Sequence, residues 1–219
     1  MLRVQGLPRV TVADLKPIDI IRLSGASLVI AMLLVGWWGI FGITGDQNIL
    51  NRAIAGGALS REYLTAEPWR IISAPLLHLH AVHLATNLLF CGLLSIGCSL
   101  NRSMRSTVSL FFISGWFATV VGVLTQPGWF LGASGAMFGL LGAIIASHRR
   151  ALSNGRLLLV SVVAICVSLL SKGDAVAHVA GLVSGAVIGD FDIFRRDRAS
   201  HFILTIACLG IGYGLYQLT

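Results

Sequence analysis

A serine set among glycines, two histidines and an asparagine carry the chemistry this chain can perform. The stretch "GASGAMFGLLGA", Gly132–Ala143, puts Ser134 at the head of an apolar helical run. "AHVAGLVSG" puts His178 near the head of another, and "HAVHLATN" puts His83 and Asn87 at the head of a third. A serine hydroxyl is a weak nucleophile until a base takes its proton, and histidine can take that proton and return it to a leaving amine. Acyl-bond hydrolysis also needs donors for the oxygen that gains charge. His83 and Asn87 stand at i and i+4, on one helix face, and both can donate. The Ser134 backbone N–H, at the positive end of a helix dipole, is a third donor. The set predicts a serine hydrolase with Ser134 as nucleophile and His178 as base.

The elements that must position these residues are membrane helices. The 219 residues are 56% hydrophobic and 11% charged, with mean hydropathy +0.85, where a soluble domain carries about 25% charged residues. The fold class is therefore an all-α polytopic membrane protein, with the lipid bilayer as its main partner. The net charge of +7 does not gather into a nucleic-acid footprint. Its cations punctuate apolar runs, where basic residues set orientation. No segment reads as a cleaved signal peptide, because the first apolar run is long enough to span. Cys91, Cys98, Cys166 and Cys208 all lie in apolar stretches without a CxxC pair and read as small hydrophobes.

Hydropathy and loop punctuation predict seven spans: Ile21–Ile43, Val82–Leu100, Thr107–Thr125, Ser134–His148, Arg156–Ser171, Ala175–Gly189 and His201–Leu218. Residues 1–20 form a cytoplasmic tail, 21–190 a six-helix core with a long outer loop at about 44–81, 191–200 a basic inner linker, and 201–219 an additional C-terminal helix. With the N-terminus inside, twelve cations fall on the inner side against four outside, which fixes the orientation. "EPWRIISAPLLHLHAVH" in the outer loop is apolar but broken by Pro68 and Pro75, so it is expected to lie partly in the membrane interface. Spans two, four and six then run from outside to inside. Ser134 stands 15 residues before Arg149 and Asn87 stands 15 before Arg102, each about 22 Å of helix. His178 is 12 residues before Asp190, about 18 Å. The three polar sites share one level in the outer half of the membrane.

Each residue also has a plainer reading. A serine in a membrane helix commonly bonds back to its own helix, and histidine or asparagine can be interhelical glue. Shared depth favours the constellation. Asp174, one turn before His178, fits a helix cap better than a triad acid. "HLHAVH" holds His78, His80 and His83 but no carboxylate or cysteine completes a set, so no metal is expected. Ala136 fills the last glycine position of the GxSxG elbow of soluble hydrolases, so that motif is absent. His148 and His201 lie beside inner-face charge and read as interfacial. A transporter is disfavoured because no polar path continues to the inner side and no inverted repeat is seen.

Four elements in register carry a family resemblance: Trp69–Arg70; His78, His83 and Asn87; "GASG" at Gly132–Gly135; and "GDAVAHVAG" from Gly173 to Gly181. In these the chain resembles the rhomboid intramembrane serine proteases over roughly Trp69 to Gly189. The resemblance implies Ser134 and His178 as a catalytic dyad, and His83, Asn87 and the Ser134 amide as the oxyanion site. His78, Trp69 and Arg70 become structural parts of the outer loop. Gly132 permits the turn before Ser134, and Gly135 and Gly181 permit close helix approach. Many members carry tyrosine four residues after the serine; Phe138 keeps the ring without the hydroxyl. The implied substrates are single-spanning membrane proteins cut near the outer face, with no cofactor and substrate access beside span five. The implied location is the bacterial inner membrane, with a six-plus-one helix arrangement. Rhombosortase-like trimming of C-terminal sorting tags, or non-catalytic binding of membrane helices, are the alternative activities.

Overall fold

The computed structural model describes residues 17–41, 49–148, 175–190 and 200–217. Five long helices are α1 (Pro17–Phe41), α5 (Ala81–Ser99), α6 (Met104–Thr125), α7 (Ser134–His148) and α8 (Ala175–Asp190), and a C-terminal helix, α9, covers Ser200–Gln217. Between α1 and α5 lie the short helices α2 (Ile49–Ala55), α3 (Tyr63–Ala66) and α4 (Arg70–Ser73), with a 3₁₀ turn at Ala74–Leu76. Among the described residues three helices are long and apolar enough to cross a membrane, within Ser24–Phe41, Ala81–Ser99 and Met104–Thr125. Shorter apolar helices cover Ser134–Ser147, Ala175–Gly189 and Phe202–Ile211. The expected span Arg156–Ser171, with Cys166, Lys172, Gly173 and Asp174, lies outside the described residues, as do most of the tail and the inner linker.

The sequence marks the helix ends with recognisable chemistry. Ser103 caps α6 by accepting from the Ser106 amide, a partner for one of the donors that every helix start leaves unpaired. This begins α6 three residues earlier than the expected Thr107, at Met104. The end of α8 is tied by Arg102. Arg102 is 4% exposed, and its guanidinium donates to the Gly189 carbonyl near the end of α8, where backbone acceptors and the negative dipole end favour a cation.

The loop between α1 and α5 is a folded cap of short helical turns, and one buried arginine supplies the donors that a compact loop needs. Arg70, 6% exposed, pairs with Glu67 at 2.9 Å and donates to the carbonyls of Ala58 at 3.1 Å and Ile54. Its guanidinium also stands 4.6 Å from the Tyr63 ring and 4.8 Å from the Trp69 ring. Ser73 donates to the Gly57 carbonyl at 3.0 Å and the Trp37 indole to that of Gly56 at 3.2 Å, which fastens the cap to α4 and to α1.

Candidate active site

The closest packing in the molecule is between α7 and α8, and glycine is its cause. A Cβ on Gly181 would collide with the Gly135 carbonyl, one on Gly185 with the Gly139 carbonyl, and one on Gly142 with the Leu182 carbonyl. Backbone therefore lies on backbone, as small residues allow in lipid-embedded helices. That approach lets two short reaches meet. Ser134 Oγ at the first turn of α7 and His178 Nε2 in the first turn of α8 are 2.8 Å apart. In the tautomer with Nε2 unprotonated, the Ser134 hydroxyl donates to it. The Phe138 ring lies 4.7 Å from the His178 ring at 19°, a stack that leaves the imidazole edge turned to the serine.

Both side chains open into a cavity of about 790 Å³. Its wall includes His83, Asn87, Gly132 and Phe138, so the structure brings these expected residues together with Ser134 and His178. Asn87 is 3% exposed, and its Nδ2 donates to the His83 carbonyl at 3.0 Å. An amide nitrogen carries two hydrogens, so this bond leaves the second for another acceptor. Gly132 has φ +107°, a conformation glycine adopts without strain. A Cβ there would stand 2.9 Å from His83 Cε1, so the turn before Ser134 and the histidine ring are packed together. The Gly132 amide donates to the Ala74 carbonyl at 2.9 Å, which fixes that turn to the cap.

His78, Trp69 and Arg70 stand away from the cavity wall. His78 is 1% exposed, with Nδ1 donating to the Leu76 carbonyl at 3.2 Å and its ring edge-on to His83 at 4.9 Å. Burial, and then the neighbouring His83, push its pKa from 6.5 down to about 3. It is a neutral prop behind His83.

Several wall residues escape a reading of motifs: Thr86, Phe90, Thr119, Leu131 and Met137 line the cavity from four different segments. Thr86 and Phe90 share a face of α5 at i and i+4, but no spacing along the chain joins that pair to the other three. The tie that places Leu131 is also invisible in the sequence. Leu59 in the cap and Phe130 pair in both directions, at 3.0 and 2.7 Å, and a bridge of one residue pair leaves no periodicity.

Residues 65–194 match the family model described as the Rhomboid domain, more than half of the chain. RHOMBOID-like protein 5 of Arabidopsis thaliana is 32% identical over 147 residues, 61% of this chain and 47% of that protein. Rhomboid protease GluP of Bacillus subtilis is 29% identical over 195 residues, 80% of this chain and 38% of that protein. Rhomboid-like protease 3 of Toxoplasma gondii is 24% identical over 155 residues, 65% and 59% respectively. The chain spans 38–59% of the length of these three relatives.

Proposed function

The chain belongs to the rhomboid family, and on that premise we propose that it is an intramembrane serine endopeptidase that cuts transmembrane proteins in the outer half of the bilayer. The observation that carries this reading is the 2.8 Å contact between Ser134 Oγ and His178 Nε2, made inside a cavity that His83 and Asn87 also line.

In the proposed reaction Ser134 Oγ attacks the scissile carbonyl carbon while its proton passes to His178 Nε2. The carbonyl oxygen becomes an oxyanion and takes hydrogen bonds from Asn87, His83 and the Ser134 amide. The His178 imidazolium then protonates the leaving nitrogen, the C–N bond breaks, and an ester to Ser134 remains. Water gives one proton to His178 and its oxygen to the acyl carbon, and the acid leaves as Ser134 recovers its proton. Phe138 holds the imidazole plane without taking part in proton transfer.

The proposed topology has a cytoplasmic N-terminus, residues 21–190 as a six-helix core, and residues 201–219 as a seventh span beyond a basic inner linker. Two features support it. The cation asymmetry points the same way, and the Arg102 clamp lies at the helix ends opposite the cap. Substrate access beside span five belongs to the same proposal, and so do single-spanning substrates. Relatives from a plant, a bacterium and an apicomplexan single out no particular membrane.

The test is cleavage of a single-spanning substrate co-reconstituted in liposomes, with products mapped by mass spectrometry. The expected result is a cut in the outer half of the substrate helix by the wild type and none by Ser134→Ala. Cutting by both proteins, or by neither when both are folded, overturns the proposal.

A further inference from the structure

Helix α9 takes no part in the reaction above, yet one face of it packs on α6 and on the cap. Ile203, Ala207 and Gly214 are buried and Gly210 lies between them in the same stripe, at helical spacing. The other side, with Phe202, Leu209, Tyr213 and Tyr216, is exposed. Small residues in a stripe are ordinary helix packing; opposite Gly210 and Gly214 stand side chains of the cap. A Cβ on Gly210 would collide with Ile72 of α4. A Cβ on Gly214 would stand 2.9 Å from Cε3 and 3.1 Å from Cζ3 of the Trp69 indole.

The same indole, 6% exposed, also fills the space beside Gly57, where a Cβ would stand 2.7 Å from its Cζ3. Gly57 has φ +99°, so its backbone is already shaped for glycine. Trp69 thus touches a glycine of α9 and a glycine of the cap. From Gly57 the chain continues through Ala58, whose carbonyl accepts from Arg70, to Leu59 and its two-way pairing with Phe130. Phe130 and Leu131 line the cavity just before Ser134.

We propose that α9 is a positioning element for the site: Gly214 seats the Trp69 ring, and the seated ring holds the segment Gly57–Leu59 against Phe130, setting the cavity rim next to Ser134. Every link in this chain is a ring packed on backbone or a backbone hydrogen bond, so a displacement at Gly214 is passed on and not absorbed by a flexible side chain. Its consequence for catalysis rests on the proteolytic reading. The contact itself does not.

The test therefore uses a readout that needs no catalysis. In the full chain, with Cys91, Cys98, Cys166 and Cys208 replaced by alanine, Leu131→Cys supplies a thiol at the rim, and its maleimide reaction is timed in micelles. Gly214→Leu should raise the rate by about five-fold or more, the size of change that one kcal/mol of loosening makes. Adding Trp69→Phe, which trims the ring, should return most of the protection; Gly214→Ala is the milder version if the leucine chain folds poorly. An unchanged thiol rate in both glycine variants overturns the proposal. So does loosening that Trp69→Phe leaves untouched, since general damage is not repaired by a smaller ring. Failure of substrate cleavage in the wild type would instead overturn the peptidase reading and leave this result standing.

Discussion

The two ends of the α7–α8 pair are built from the same packing and differ in everything else. At both ends glycine lets backbone meet backbone: Gly181 on Gly135 near the site, Gly142 on Leu182 farther down. The end at which both helices start opens into a cavity and holds Ser134 against His178. Toward the other end Gly189 is wedged against Ala143 and its carbonyl is tied to Arg102. Close helix packing is thus a scaffold common to both ends. The proposed reactivity belongs to the end where a hydroxyl sits at a helix start, an imidazole faces it and a cavity opens beside them.

The largest expected effect lies at the end that carries Ser134. His178→Ala is expected to lower the turnover of a membrane substrate by about three orders of magnitude or more, while thermal stability in micelles stays close to that of the wild type. A residual rate within about ten-fold of the wild type would remove the proposed base from the mechanism.

The next largest effect separates the two ends by geometry. Gly181→Val has to push a side chain into the Gly135 backbone, so it is expected to abolish both folding yield and activity. Gly189→Ala meets the Ala143 Cβ at 2.8 Å and its backbone Cα at 2.9 Å, so it too must shift backbone, but by one methyl group, and its third neighbour is the long Arg102 side chain at 3.4 Å. It should cost about 1–3 kcal/mol and leave the folded fraction active. Size-exclusion yield and activity per folded molecule check both. Equal losses at the two positions would contradict the asymmetry.

Asn87→Ala removes one of the proposed oxyanion donors and is expected to reduce kcat by about 100-fold, with KM little changed. Arg102→Ala, at the other end of the pair, should instead lower stability by about 1–3 kcal/mol, because a buried carbonyl loses its charged donor, and leave kcat alone. A smaller effect concerns pH. His78 titrates near 6.5 when unfolded and at about 3 when folded, so the unfolded chain binds the extra proton between these values. Stability conferred by the neutral ring is full above pH 6.5 and is lost as pH falls toward 3. A melting-temperature profile should slope downward in acid, and His78→Asn should flatten it.

The helices and the glycine contacts were legible because both are local. Apolar run length marks a helix, and a glycine every third or fourth residue marks a face, so the start of α7 at Ser134 could be read directly from "GASG". The meeting of Ser134 with His178 was legible only by combining span direction with depth, 44 residues apart in sequence. The cap was not legible. Its architecture depends on Arg70 reaching the carbonyls of Ile54 and Ala58, and on Leu59 pairing with Phe130. Such single long-range bonds impose no period on the chain. The prolines there interrupt helices without saying what the pieces pack upon. The seat of Trp69 on Gly214 was not legible either, because the tryptophan lies in a turn far from α9 along the chain and a single ring contact leaves no period.

The most direct measurement of the central claim is reaction with a fluorophosphonate probe in intact membranes, followed by peptide mapping of the adduct. The account requires phosphonylation of Ser134, abolished by Ser134→Ala and slowed by about three orders of magnitude in His178→Ala. An adduct on a different serine, or equal labelling of Ser134 with and without the imidazole, would contradict it.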